Sequence, residues 1–405
     1  MRSSSLTRTA AVLIATAGIF LLGLGVMPSV AVSGGTSGAV APLATPAPVR
    51  AKAVTVGFVH TCALTTKGGV KCWGYDGEGE LGNNATADSA VPVGVYGLGK
   101  NVKAISAGSY FTCALTTKGA VKCWGSNSYG QLGDNTTTNS AKPVGVYGLS
   151  KNVVAISAGN FFACALTTKG AVKCWGANTY GQLGNNTTLG SAKPVGVYGL
   201  SKKVKALGSG GYHSCAVTTA GAVKCWGYNG EGELGDNTKV NAVKPVAVYT
   251  LTKGVKAVSA GSYSTCALTT KGAVKCWGYD GDGELGDNTT TSTTKPVATY
   301  GLSKKVTSIT VGDIHSCALN TSGVVKCWGY NGYGGLGDNS TTSSPKPVEV
   351  YDMGAKVKAI AAGGYHSCAL TTKGVVKCWG FNAYGQLGDG SVTTSHKPVG
   401  VFGLH

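Results

Sequence analysis

The triplet Cys-Trp-Gly occurs seven times, with its tryptophan at positions 73, 124, 175, 226, 277, 328 and 379, and the step between neighbours is 51 residues each time. No insertion or deletion breaks that register, and seven such units fill the chain from Val49 to His405. Self-similarity at this period excludes the two or three independent domains that 405 residues would otherwise suggest. One unit is too small to bury its own apolar face, so neighbours must stack.

Within the second unit, K-N-V-K-A-I-S-A-G, F-T-C-A-L-T-T, A-V-K-C-W-G and K-P-V-G-V-Y-G-L are short alternating or β-branched runs bounded by Gly, Asn or Pro. Four strands per unit make a propeller blade. The 64 glycines and the lack of Leu-rich helical patterns point the same way. The fold class predicted is all-β: a seven-bladed β-propeller of four-stranded blades, one 51-residue repeat per blade. A linear solenoid would need polar capping repeats, and the first and last units look like the rest. The C-terminal strand, Lys397 to Leu404, is expected to close the ring by pairing in the blade that holds the first unit.

Ahead of the array, Arg2 and Arg8 precede an apolar run from Ala10 to Met27 and the small residues P-S-V-A-V-S, the order of a secretory signal peptide. Residues 1–31 are assigned to it, with cleavage after Ala31. An uncleaved membrane anchor is the alternative, given the length of the run. Residues 32–48 mix Gly, Ser, Thr, Ala and Pro without period and read as a linker, leaving 49–405 as the propeller. The expected location is secreted or extracellular.

The fourteen cysteines form seven C-x₉-C pairs, each spanning a turn such as Thr117-Lys118-Gly119. Glycine stands where a three-residue hairpin loop needs a left-handed residue. With Lys118 at the centre, Cys113 faces Cys123. The same register pairs Cys62 with Cys72, Cys164 with Cys174, Cys215 with Cys225, Cys266 with Cys276, Cys317 with Cys327 and Cys368 with Cys378. Seven intrablade disulfides imply an oxidising compartment, in agreement with the signal peptide. The spacing is not that of a zinc site, and no metal is expected.

The run G-x-Y-H-S-C-A-L-T-T-x-G-x-V-K-C-W-G-x-N-x-x-G-Q-L-G-D, from Gly363 to Asp389, resembles the repeat of the regulator of chromosome condensation family, and its order recurs in all seven units. The resemblance implies the seven-bladed ring. The founding member of that family exchanges nucleotide on a small nuclear GTPase and binds chromatin, in part through a wedge inserted in the propeller. A constant step of 51 leaves no room for such a wedge, and a signal peptide removes the chain from the nucleus. A secreted bacterial propeller that inhibits β-lactamases looks like a shorter-repeat relative, which makes protein binding the leading class.

An up-and-down blade puts alternate loops at opposite ends. The T-K-G hairpins and the L-S-K-N or L-S-K-K interblade turns share one end, expected to be basic, with Lys67, Lys100, Lys118, Lys151, Lys169, Lys202, Lys203, Lys271, Lys304, Lys305 and Lys373. The other end holds the approach to the first cysteine and the W-G-x-x-x-x-G-x-L-G-D loop, where 13 of the 17 acids lie, among them Asp76, Glu78, Glu80, Glu231, Glu233 and Asp236. Residues that recur in every blade are explained by packing, so a partner is expected to read positions that differ. The predicted partner-binding residues on that end are Phe58, Tyr75, Tyr110, Phe111, Phe161, Phe162, Tyr212, Tyr228, Tyr263, Tyr279 and Tyr365. Aromatics ringed by carboxylates suit protein recognition, where a few anchors carry most of the energy.

The net charge of +18 favours contact between the basic face and an anionic cell surface. A specific nucleic-acid role is not expected, because the aromatics lie on the other face and would not stack bases beside the lysines. The sequence reading is thus a secreted, monomeric protein-binding scaffold. An inhibitor of an extracellular hydrolase such as a β-lactamase, and a propeller-type carbohydrate-active enzyme, are the alternatives.

Other motifs lead nowhere. G-E-G-E-L-G at Gly77 to Gly82 matches a dinucleotide fingerprint but lacks the helix that must follow it. Asp280, Asp282, Glu284 and Asp287 do not have EF-hand spacing and read as a solvated acidic turn. His60, His213, His315 and His366 each lie two residues before a cysteine and read as structural or rim residues. No nucleophile, base and orienter stand together, so neither catalytic residues nor a cofactor is expected.

Overall fold

A computed structural model describes residues 49–404, so the signal peptide and linker assigned to residues 1–48 lie outside the described residues. Twenty-eight strands, β1 to β28, form seven separate four-stranded antiparallel sheets, one per repeat. Blade 1 comprises β1 (Ala51–Val56), β2 (His60–Thr65), β3 (Val70–Gly74) and β4 (Ser89–Gly94), and blades 2 to 6 repeat it. Blade 7 ends the series with β25 (Val357–Ala362), β26 (His366–Thr371), β27 (Val376–Gly380) and β28 (Ser395–Gly400). The all-β, seven-bladed propeller expected from the period is the fold observed.

The central hairpin follows from its turn. Gly119 sits at φ +79°, and the pair Thr116 and Ala120 closes around the three loop residues with a 2.8 Å amide bond. That register sets Cys113 opposite Cys123, and the same holds in every blade. All seven cysteine pairs are disulfides, and no cysteine among the described residues is free. Each closes only a short loop, worth roughly 2–3 kcal/mol.

The core lies between blades. One cluster joins Cys62, Leu64, Val70, Leu81 and Leu98 of blade 1 to Ala114 and Trp124 of blade 2. All seven tryptophans are fully buried in such seams. Each indole donates to a loop carbonyl of the preceding blade, as Trp124 does to Glu80 at 2.8 Å and Trp226 to Gln182 at 2.9 Å, so the polar edge of the ring is not left unpaired. The glycine after each loop leucine makes this possible: a Cβ on Gly82 would lie 2.6 Å from the Trp124 ring. Near the axis, inner-strand hydroxyls bond the next blade's backbone, Ala107 N to Thr55 Oγ1 at 3.0 Å and Ala158 N to Ser106 Oγ at 3.0 Å.

Ring closure departs from expectation. β28 pairs with β27 of its own blade, and β1 pairs with β2, so no strand crosses between the first and last repeats. The seam is instead closed as the other six are. Trp73 donates to Gln386 O at 2.9 Å, Ala51 N bonds Gly374 O at 2.9 Å, and Ala51, Val56, Ala63 and Trp73 pack against Leu370, Val376, Leu387, Val401 and Leu404. Burial and these hydrogen bonds close the seam without strand exchange, because both of its sides carry complete blades.

Candidate partner-binding face

The two ends sort as the topology requires. The T-K-G turn of blade 2 bonds the interblade turns on either side, Thr117 N to Asn101 O at 2.8 Å and Val153 N to Gly119 O at 3.1 Å, and all eleven predicted lysines are exposed. At the opposite end the approach to β2 and its equivalents is tied to the loop after tryptophan, Tyr75 N to Val59 O at 3.0 Å and Tyr228 N to Tyr212 O at 2.9 Å. Side chains from both segments therefore meet around the mouth of the central channel.

There they form chains of edge-to-face and tilted ring contacts. The largest runs through blades 6, 7, 1 and 2: Tyr333 to Tyr365 at 5.2 Å, Tyr365 to Phe58 at 5.0 Å, Phe58 to Tyr110 at 5.8 Å, Tyr110 to Tyr75 at 6.2 Å and Tyr75 to Tyr384 at 5.2 Å. Phe58, Val59, Tyr75, Tyr110, Tyr365, Phe381 and Tyr384 line a pocket of about 300 Å³. A second chain links Tyr180, Tyr212, Tyr228, Tyr263 and Tyr279 across blades 3 to 5, and Tyr129 pairs with Phe161 at 5.3 Å. The chains stop where Ser126 and Ala177 replace the loop aromatic, and where Ile314 replaces the approach aromatic.

Nine of the eleven predicted residues thus stand half-exposed at this mouth, and two do not. Phe111 and Phe162 are fully buried, 0% exposed, in the seams to blades 3 and 4. They alternate with Cys113 and Cys164 along their strands, so they share the cysteines' inward face. Phe381 was missed, although it occupies the position of Tyr75 two residues after tryptophan. Also missed were Tyr96, Tyr147, Tyr198, Tyr249, Tyr300, Tyr351 and Phe402, one per blade and 49–66% exposed. Lysines lie over three of them, Lys193 at 4.9 Å from the Tyr147 ring, Lys244 at 5.7 Å from Tyr198 and Lys295 at 5.0 Å from Tyr249.

The four histidines are structural. His213 Nε2 lies 2.7 Å from Thr265 Oγ1 of the next blade, and that hydroxyl donates to Glu233 O at 3.0 Å, so the ring donates through Nε2. His315 with Ser367, and His366 with Thr61, repeat the relay. Burial lowers the pKa of His60 and His315 to about 4 and of His213 and His366 to about 3.

The acidic end is less charged than its composition implied. Asp76, Glu80, Glu233, Asp280 and Glu284 are buried, so of the four acids in the turn at Asp280 only Asp282 and Asp287 reach solvent. Burial raises Asp76 to about 6, Asp280 and Glu233 to about 7, and Glu80 and Glu284 to about 8. Glu78, Glu231 and Asp282 remain half-exposed on blades 1, 4 and 5, between the aromatics. The channel encloses about 220 Å³ lined mostly by Gly, Ala, Ser, Thr and Val, with Phe58, Asn160 and Leu207, and with Asp313 as its acid. Burial raises the pKa of Asp313, and the hydroxyl of Ser262 donates to it.

Comparison with known proteins agrees with this architecture. A profile of the RCC1-like domain matches residues 22–258, and profiles of the regulator of chromosome condensation (RCC1) repeat match 255–284, 306–334 and 357–386, and 271–319 and 322–370. The chain belongs to the RCC1-like family. This RCC1-like chain is 34% identical over 362 residues to the E3 ubiquitin-protein ligase HERC2 of Mus musculus, a match covering 86% of the chain and 7% of that ligase. It therefore spans under a tenth of HERC2. With the ultraviolet-B receptor UVR8 of Arabidopsis thaliana it shares 29% identity over 360 residues, 87% of this chain and 81% of that one. Among solved structures, Prp20p of Saccharomyces cerevisiae superposes with a TM-score of 0.75 at 24% identity, covering 84% of this chain and 87% of its own. Human WBSCR16 gives 0.72 at 24% identity, over 82% and 94% respectively. At that identity the likeness is one of fold.

Proposed function

We propose that this RCC1-like propeller is a secreted scaffold that binds a protein through the aromatic mouth of its channel. The observation that carries the reading is the linked aromatic rim with its 300 Å³ pocket, interrupted by half-exposed carboxylates on blades 1, 4 and 5. Rings of this kind supply large rigid contact area at low entropic cost, and a pocket seats one anchor of a partner. Prp20p has binding properties to Gsp1p and histones, so a propeller of this fold engages proteins in that case. Secretion is supported by seven disulfides, which persist in oxidising compartments.

The test is capture from culture medium by the tagged chain, its Y75A/Y110A/Y365A variant and a K118Q/K169Q/K271Q variant. A stoichiometric protein held by the parent and by the lysine variant, and weakened at least roughly tenfold by the tyrosine variant, is expected. Equal capture by the tyrosine variant overturns the assignment of the face. Amino-terminal sequencing of the product should begin at Val32, and a chain that stays intracellular with free thiols overturns secretion.

A further inference from the structure

In five blades an asparagine stands three residues after the tryptophan: Asn127, Asn178, Asn229, Asn331 and Asn382, all buried. Asn127 accepts Leu132 N through Oδ1 at 2.9 Å, and its Nδ2 lies 3.3 Å from Asp134 Oδ1, 3.2 Å from Thr136 O, 3.1 Å from Thr136 Oγ1 and 3.0 Å from Thr138 O. The other four repeat this arrangement. An amide nitrogen thus fills a cage of four oxygens.

Blades 1 and 5 carry aspartate there. Asp76 Oδ1 accepts Leu81 N at 2.8 Å and Asp280 Oδ1 accepts Leu285 N at 2.8 Å, so each Oδ2 takes the place of the amide nitrogen. Asp76 Oδ2 is buried without a hydrogen-bond partner. Asp280 Oδ2 is 3.3 Å from Thr289 Oγ1, but that hydroxyl lies closer to Asp287 Oδ1, at 2.7 Å, and has one proton to give. Both loops thus set a carboxylate oxygen where their sisters set an amide donor; in blade 1 it meets no donor, and in blade 5 it meets only the shared Thr289 hydroxyl and the Thr291 backbone.

We propose that these two loops each bind a hard divalent cation of the Ca²⁺ class where their five sisters hold an amide. In blade 5 the ligands are Asp280, Asp287, the hydroxyl and carbonyl of Thr289, and the carbonyl of Thr291. In blade 1 they are Asp76, Asn83 and the carbonyls of Ala85 and Ala87. Oxygen separations near 3 Å are the polyhedron edges of a cation with ligands at about 2.4 Å. A proton on Oδ2 is the competing occupant; it would bond a single oxygen of the cage, whereas a cation would take all of them as ligands.

The test titrates CaCl₂ into the EDTA-stripped full chain at about pH 8, above the raised pKa of both aspartates. Calorimetry should count about two ions per chain, with weaker binding of Mg²⁺, and Tm should rise with CaCl₂. The D76N/D280N variant should fold, because five blades already use asparagine, and should lose both ions and the Ca²⁺ dependence of Tm. Absence of heat and of a Tm shift in the parent overturns the proposal, as does Ca²⁺ binding that survives in D76N/D280N. A fall in Tm between pH 5 and 8 that D76N/D280N removes from the parent, equal with and without CaCl₂, assigns the cage to a proton and also overturns it.

Discussion

The seams show how a single side chain chooses its partner across a blade boundary. His213 meets Thr265, whereas at the equivalent contact Phe111 meets Ala163 within one apolar cluster. Replacing Thr265 with Ala alone should strand the His213 Nε2–H and cost about 1–3 kcal/mol in urea unfolding. The H213F/T265A pair should recover most of that loss, since it recreates the blade 2–3 contact; additivity would show that the hydroxyl is not the histidine's partner. The buried titratable groups also set a pH window. The four histidines sit at about 3 to 4 when folded against 6.5 unfolded, so they favour the folded state above pH 6.5 and that stability is lost as pH falls toward 4. Glu80, Glu233 and Glu284, raised from 4.5 to about 7 to 8, act oppositely: their contribution is complete below 4.5 and disappears as pH rises through 8. A plot of Tm against pH should therefore peak between these limbs. E80Q/E233Q/E284Q should make the alkaline limb shallower, leaving the part due to Asp76 and Asp280, because Gln131 already makes the same bond to Tyr129 N that Glu80 makes to Glu78 N.

At the level of the element, two glycines in the same backbone conformation separate strain from packing. Gly82 and Gly97 both have φ +66°, but a Cβ at Gly97 meets nothing within 4 Å. Gly97→Ala should cost only the left-handed penalty, about 1–2 kcal/mol. Gly82→Ala should cost about 1–3 kcal/mol more in the same urea titration, because it displaces the Trp124 ring. Equal losses would mean that the seam relaxes freely around the indole. Removing one disulfide with C113A/C123A should lower stability by roughly 2–3 kcal/mol without opening the ring. The strands, the hairpin register and the cysteine pairs were legible because each rests on local spacing. The inward facing of Phe111 was legible too, since it lies two residues before Cys113 on a strand of period two; reading Tyr110-Phe111 as one aromatic patch concealed it. The buried acids were not, because a carboxylate in a polar loop looks solvated until its position is matched with Asn127 or Gln131 of a sister blade.

The whole ring is built of seven like seams, and this was the part least accessible from sequence. The period fixes how far apart equivalent residues lie but not where a blade begins. The interval from Leu98 to Val102 is four residues, and joining His405 directly to Val49 gives the same interval from Leu404 to Ala51. A circular permutant so joined and opened at Lys100 should unfold at the parent's Tm within about 2 °C and keep all seven disulfides. A large loss would reveal a special role for the natural seam. Because the boundaries of the repeat and of the blade coincide, a recombination event that deletes or duplicates one 51-residue unit cuts no sheet. Each surviving blade keeps its strands, its cysteine bridge and one tryptophan to offer its neighbour. Such a chain can change its number of blades in single genetic steps, with the circumference of the ring as the variable under selection.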